Sequence, residues 1–443
     1  MKILVLDGNE NQAVACVRSL ARAGHSVSVG SSDKWSKAGW SRFAESSFIY
    51  PAPQVSAEAF VARIREETAR VPGTLVLPVT ERTTLPLSAY REEIFEAGGR
   101  LVLPSHETVM RAFDKSETTR LASSLGVAVP KTFYISSSAE ARDIADSINY
   151  PAVIKARSSE QVSASGKVIA TGAPLYARSA EELLAAVGLM NQRSHAALVQ
   201  EYVEGTGAGY FALMREGELR AEFAHRRIRD VRPTGSGSAV RASAPVDPKM
   251  REAALAILKA LRWHGVAMVE FRVRADGTPV FMEVNGRFWN SLPLSVYAGA
   301  DFPALLAELA ERGDAPVGSG YRMNVRCRWM VGDARHLIEV WRGAPAGYAG
   351  RYPGRLRTTL DFLKPVAGTY HDNFMMSDPM PELGDWLDFA FRRLPAQLKN
   401  FGFPWRRMRL SRAAILDFGS RTRVSSIQNP KSKIQNPESR SEV

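Results

Sequence analysis

The stretch from Met268 to Asn285 constrains this 443-residue chain more than any other, because its pattern admits one local structure. Alternating apolar and polar runs flank Asp276-Gly277, a pair suited to a two-residue hairpin loop because such turns need positive φ. A loop of that length sets Glu270 directly opposite Glu283. Alternation then puts Val269, Phe271, Val273, Val280, Met282 and Val284 on a core face, and Glu270, Glu283 and Asn285 on the other. Facing carboxylates disfavour such a pair by about 0.2–1 kcal/mol. The arrangement therefore reads either as a solvent face, with Glu270 paired to Arg272 or Arg287, or as a cation site. Two carboxylates and an amide oxygen are hard ligands that suit Mg²⁺ (or Mn²⁺), with phosphates and water completing the shell. Arg287 follows at once, and a guanidinium there suits the charge on a transferring phosphoryl group.

Residues 1–105 follow a different rhythm. Lys2 to Leu6 is expected as a buried strand, Gln12 to Ala23 as an amphipathic helix and Ser26 to Val29 as a second strand, with strand and helix alternating up to Leu101-Val102-Leu103. This is the pattern of an open parallel α/β sheet. Its first turn, Asp7-Gly8-Asn9-Glu10-Asn11, lacks the GxGxxG of a dinucleotide site, which disfavours a dehydrogenase. From 106 to 310, shorter strands with hairpin turns indicate α+β. There Lys155 ends the apolar strand Ala152-Val153-Ile154, and Lys115 precedes a helix beginning at Glu117, where backbone N–H groups attract anions. Gln200-Glu201-Tyr202-Val203-Glu204-Gly205 ends another strand, an edge able to give adenine an N6 acceptor and a backbone contact. Residues 311–412 read as a small appended region, and 413–443, where Ile-Gln-Asn-Pro recurs, as a disordered tail.

Lys and Arg number 58 against 46 Asp and Glu, a net charge of +12 that first suggests nucleic acid or an anionic membrane. Residues 391–412 carry seven basic and no acidic side chains, and residues 413–443 add +2, so only +3 belongs to residues 1–390. No nucleic-acid partner is expected from so neutral a body. Leu387, Phe389, Phe391, Leu394, Phe401 and Trp405 interleave with the basic groups over residues 386–412, as in a peripheral membrane contact or a charged segment packed on the body. Cys16 and Cys327 form no CxxC, Met1-Lys2 runs into a strand without a leader-like apolar region, and no run approaches the ~20 apolar residues of a spanning helix. A cytoplasmic protein is expected, with a homodimer as the default assembly.

Asp114-Lys115, Val153-Ile154-Lys155, Gln200 to Gly205, Val269-Glu270-Phe271 and Met282 to Arg287, in that order, resemble the ATP-grasp superfamily. The resemblance implies an N-terminal open-sheet (pre-ATP-grasp) domain over 1–105 and a two-lobed ATP-grasp domain over 106–310, with a small lobe at about 126–203. It implies that Lys115 and Lys155 contact ATP phosphates, that Glu201, Tyr202 and Val203 hold the adenine, that Glu270, Glu283 and Asn285 bind magnesium, and that Arg287 stabilises an acyl-phosphate transition state. His225-Arg226-Arg227-Ile228-Arg229, continuing to Arg241, looks like the carbamoyl-phosphate-synthase-like branch, which implies acceptor contacts for Arg226 and Arg241. Two features depart from the family. Thr206-Gly207-Ala208-Gly209 offers no acid for the ribose, and the covering loop Ser158 to Gly166 has one glycine. The implied activity is ATP-dependent joining of a small-molecule carboxylate to an amine; the alternative is a non-catalytic ATP-binding regulatory or scaffold protein.

Overall fold

The computed structural model describes residues 1–162, 167–172, 174–192, 197–235, 237–318, 320–344 and 352–393, and Met1–Phe389 form one compact unit. Most of the basic aromatic segment and all of the tail, residues 394–443, lie outside the described residues, as does 163–166 of the covering loop. Among the described residues no helix is long and apolar enough to cross a membrane.

Strands β1 (Lys2–Val5), β2 (Ser26–Ser31), β3 (Ser46–Ile49), β4 (Thr74–Leu77) and β5 (Gly99–Arg100) form the expected parallel sheet, in the order β3-β2-β1-β4-β5. Ile3, Leu4 and Val5 are all buried because crossover helices cover both faces. Helix Asn11–Arg22 packs Val14, Val17 and Leu20 into the same core as Trp289, Phe302 and Leu306, so this sheet shares its core with residues beyond 288. Asp7 closes the end of β1. At φ 55°, it accepts hydrogen bonds from Thr80 Oγ1 at 3.0 Å and Thr83 Oγ1 at 2.6 Å, and thereby fixes the start of helix Glu81–Ala89.

Strands β6 (Thr132–Ile135), β7 (Ala152–Ala156), β8 (Glu160–Val162), β9 (Val168–Ala170), β10 (Leu175–Ala177) and β11 (Ala197–Glu201) make the small lobe. Four of them form an antiparallel sheet, β10-β7-β11-β6, while β8 and β9 pair as a separate hairpin. Ile135, Ile154 and Val199 of the sheet bury against Leu183 and Val187 of helix Ala180–Asn191.

The large sheet contains β12 (Thr206–Arg215), β13 (Glu218–Asp230), β14 (Ser238–Ser243), β15 (Gly265–Val273), β16 (Pro279–Asn285), β17 (Arg326–Arg328) and β18 (Thr369–His371), ordered β16-β15-β12-β13-β14-β17-β18. Residues beyond 310 therefore extend this sheet rather than standing apart, a difference from the appended region expected for 311–412. The reason is edge protection: β17 pairs with β14 through Arg241 and Cys327, and Cys327 is fully buried.

The β15–β16 hairpin sets Glu270 opposite Glu283, but not by the expected two-residue loop. Val273 pairs with Pro279, and Arg274 and Thr278 bond across a longer turn in which Gly277 has φ 82°. A bulge beside Glu270 then absorbs one residue. Phe281 takes the core place expected of Met282, which is half-buried instead, and Val273 is half-buried too.

Residues 372–385 are tied by buried ions to the N-terminal helix, to the loop after β2 and to β14 of the large sheet. Arg18 Nε lies 2.9 Å from Asp378, Lys37 Nζ 2.9 Å from Asp385, and Arg241 Nη2 2.6 Å from both oxygens of Asp372. Arg241, expected to contact the acceptor substrate, is 1% exposed and committed to this pair. Removing one partner of a buried pair strands the other, so Arg241→Gln is expected to cost about 3–5 kcal/mol of folding stability. Denaturant melts measure it; unchanged stability with weakened substrate binding would return Arg241 to the acceptor site.

Glu382, in helix Met380–Arg393, is pushed up to about 7 by burial and by the nearby Asp385, although Trp386 Nε1 donates to it at 2.8 Å. A raised carboxyl binds its proton more tightly in the folded state, so its contribution is fully present below about pH 4.5 and is lost as pH rises through about 7. Glu382→Gln should match the wild type in stability near pH 4.5 and exceed it above pH 7, by up to roughly 3 kcal/mol, as denaturant melts across pH would show.

Candidate functional site

The facing pair Glu270 and Glu283 lies in a cavity of about 360 Å³ also lined by Lys115, Lys155, Arg227 and Met282. Each carboxylate has a cation of its own: Arg227 Nη2 is 3.2 Å from Glu270 and Lys115 Nζ 3.4 Å from Glu283. Asn285 Nδ2 donates to Glu283 at 3.3 Å, while Arg287 Nη2 donates to Asn285 Oδ1 at 2.8 Å. Glu81, at the start of the helix that Asp7 fixes, stands 3.7 Å from Arg287. The N-terminal sheet domain therefore helps to aim the guanidinium.

Electrostatics separates the two carboxylates. Burial and the charge of Glu283 push Glu270 up. Burial acts on Glu283 too, but Lys115 and Lys155 outweigh it and hold Glu283 below the usual carboxylate range. The pair can share a proton or a cation, and the hard oxygens of Glu270, Glu283 and Asn285 fit Mg²⁺. Among the described residues no group of three His, Cys, Asp or Glu gathers around a metal position, so any cation at this pair would draw its further ligands from Asn285, nucleotide or water. Lys155 Nζ makes no hydrogen bond or ion pair among the described residues, and its pKa is lowered chiefly by burial, against the pull of Glu283. An unpartnered ammonium beside an unpartnered, buried Arg227 Nε suits a polyphosphate.

The expected residues are not all used alike. Lys115 opens helix Lys115–Ser124 and reaches Ser159 Oγ at 2.9 Å, but Asp114 caps the N–H groups of Ser116 and Glu117. Those donors are therefore not free for an anion, contrary to expectation, and the Lys115 side chain alone points from this helix start into the cavity. Glu201, Tyr202 and Val203 sit where β11 leaves the small lobe, outside the carboxylate cavity. Glu201 Oε1 accepts from Lys131 N at 3.2 Å and lies 3.5 Å from Arg274, while the backbone N–H groups of Glu201 and Tyr202 are bonded to Lys131 O and Pro151 O. Arg272 lines the cavity and donates to Val203 O at 3.2 Å and to the Tyr202 hydroxyl at 3.3 Å, linking the hinge to the carboxylates.

Arg226 is exposed and Arg241 buried; Arg227 between them is the guanidinium that reaches the site. A signal for it stands in the neighbouring strand. A Cβ on Gly207 would come within 2.8 Å of Arg227 Nη1, and glycine inside a strand marks such a close approach. Glu81 and Arg272 had no comparable local signal, because tertiary packing alone brings them to Arg287 and to the hinge.

Residues 106–219 match the family model described as an ATP-grasp domain. A 216-residue stretch is 28% identical to the carbamoyl phosphate synthase large chain, N-terminal section, of Methanopyrus kandleri, covering 46% of this chain and 37% of that protein. The chain thus spans well under half the length of this curated relative. The fold is similar to a biotin carboxylase complex from Campylobacter jejuni, with TM-score 0.58, 16% identity, and coverage of 73% and 74% of the two chains. It is also similar to an L-amino acid ligase from Bacillus licheniformis, with TM-score 0.52, 16% identity, and coverage of 70% and 74%. These identities speak for the fold alone. Residues 106–219 thus match an ATP-grasp domain model within a fold similar to these solved structures, and part of the chain is similar to a carbamoyl phosphate synthase section.

Proposed function

We propose that the protein is an ATP- and Mg²⁺-dependent ligase that activates a carboxylate as an acyl phosphate and joins it to an amine. What carries the reading is the facing Glu270/Glu283 pair, ringed by Lys115, Lys155, Arg227 and Arg287. The fold is similar to that of a biotin carboxylase and of an L-amino acid ligase, and residues 106–219 match an ATP-grasp domain model. Held by Glu270, Glu283 and the Asn285 amide oxygen, Mg²⁺ (or Mn²⁺) would supply charge neutralisation at the nucleotide's phosphates. Lys155 and Lys115 hold phosphate oxygens, and Glu201 with the Val203 backbone receives the adenine. A substrate carboxylate oxygen attacks the γ-phosphorus, and the bond to the β–γ bridging oxygen breaks so that ADP leaves with that electron pair. Arg287, aimed by Asn285 and Glu81, stabilises charge on the transferring group. An amine then attacks the acyl carbon, loses a proton and expels phosphate, forming an amide-like bond. No covalent enzyme nucleophile is required. The buried free thiols Cys16 and Cys327 agree with a reducing, cytoplasmic setting.

Glu283→Gln is expected to lower substrate-dependent ADP release by about 10²-fold or more. Lys155→Ala should weaken nucleotide binding as well, with both variants keeping the wild-type far-ultraviolet circular dichroism. Coupled-assay ADP release over a panel of amino acids, peptides and amines measures this, and full activity in both variants would refute the assignment. Tight MgATP binding with no turnover on any pair would favour the non-catalytic regulatory or scaffold alternative.

A further inference from the structure

A second cavity, of about 750 Å³, adjoins the first, and Asp230 lines both. Arg229, Arg326, Arg357 and Lys364 line it, with Asp361 as the other acid. Neither acid balances this charge at depth. Asp230 is 3.9 Å from Arg227 on the side of the first cavity, and Asp361 is 4.0 Å from the largely exposed Arg357.

Beneath the lining, the fully buried Asp333 serves two guanidiniums at once, with Arg229 Nε at 3.2 Å and Arg328 Nε at 2.6 Å. One carboxylate cannot saturate both. Arg229 Nη1 is buried with no hydrogen-bond partner, and the half-buried Arg326 side chain makes no hydrogen bond or ion pair among the described residues. Burial, and then the crowding of Arg229, Arg226 and Arg328, push the Arg326 pKa down. Unpaired buried guanidinium donors are costly, and a bidentate oxyanion is the partner their planar geometry matches.

Backbone geometry separates this group from the first cavity. The β13–β14 register shifts on both sides of Arg229, and a bulge re-aims the side chains around it. Arg227 goes to Glu270, whereas Arg229, two positions on, goes to Asp333.

We propose that this cavity binds a carboxylate- or phosphate-bearing small molecule through Arg229 and Arg326, with Arg357 and Lys364 at its mouth, and that this molecule is the second substrate of the reaction. The role as substrate rests on the ligase reading above; the anion site itself does not. Because Asp230 lines both cavities, a molecule anchored by its anionic group in the second can extend its reacting group toward the first.

Calorimetric titration of inorganic phosphate and of succinate, at fixed ionic strength, tests the site in the full chain. At least one of the two should bind saturably, survive Lys155→Ala, which disables the polyphosphate position, and weaken at least tenfold in Arg326→Gln. Preference for phosphate or for succinate tells which head group the cavity takes. Should Arg326→Gln fail to fold, Arg357→Gln, at an exposed position, carries the same expectation of weaker binding. No binding by the wild type, loss of binding in Lys155→Ala, or undiminished binding in the arginine variant overturns the proposal. MgATP titration of the wild type reports on the ligase reading separately: failure there, with anion binding intact, removes only the substrate role.

Discussion

Two carboxylates set face to face across a hairpin repel unless a proton or cations intervene, and much of the architecture around Glu270 and Glu283 supplies those cations. The pair draws one cation from each neighbouring element: Lys115 from a helix start, Lys155 from the small lobe and Arg227 from the centre of the large sheet. Arg287 joins through Asn285, and Glu81 of the N-terminal domain opposes it. Three separate parts of the fold therefore meet at one electrostatic point. Moving any of them shifts the balance that keeps Glu283 ionised and Glu270 ready to share a proton or a cation.

A similar rule, at greater burial, fastens the last described segment to the first helix. Arg18, Lys37 and Arg241 each meet an aspartate from residues 372–385 at 2.6–2.9 Å. Such pairs add little net stability over apolar packing but tolerate no missing partner. They tie residues 372–385 both to residues 1–41, through Arg18 and Lys37, and to the large sheet, through Arg241, although more than a hundred positions divide them in the chain. The acceptor role expected for Arg241 is replaced by this structural one.

Local pattern made much of this legible. The parallel sheet of residues 1–105 follows from apolar strands alternating with amphipathic helices, and the facing glutamates follow from the hairpin, because both depend on neighbours in sequence. What stayed hidden depends on contacts remote in sequence. The extension of the large sheet by β17 and β18 rests on three-residue strands too short to carry a period. The engagement of Glu201 by Arg274, of Val203 by Arg272 and of Arg287 by Glu81 has no signature along the chain. Choosing among Arg226, Arg227 and Arg241 needed the burial of each, and alternation alone misleads where a strand bulges.

Those bulges do more than blur a prediction. Beside Glu270, the extra residue in β16 turns Met282 out of the core and into the cavity while leaving the glutamates opposed. Around Arg229, two shifts in β13 release the strict alternation that would send Arg227 and Arg229 to the same face of the sheet. A regular strand would set both guanidiniums on the one face. The irregular one gives Glu270 its cation and leaves Arg229 and Arg326 to a separate cavity, short of a counter-ion. The paired carboxylates lie where the register returns to the simple pattern. The arginines proposed to anchor a second substrate lie where it breaks, in contacts that strand alternation alone does not announce.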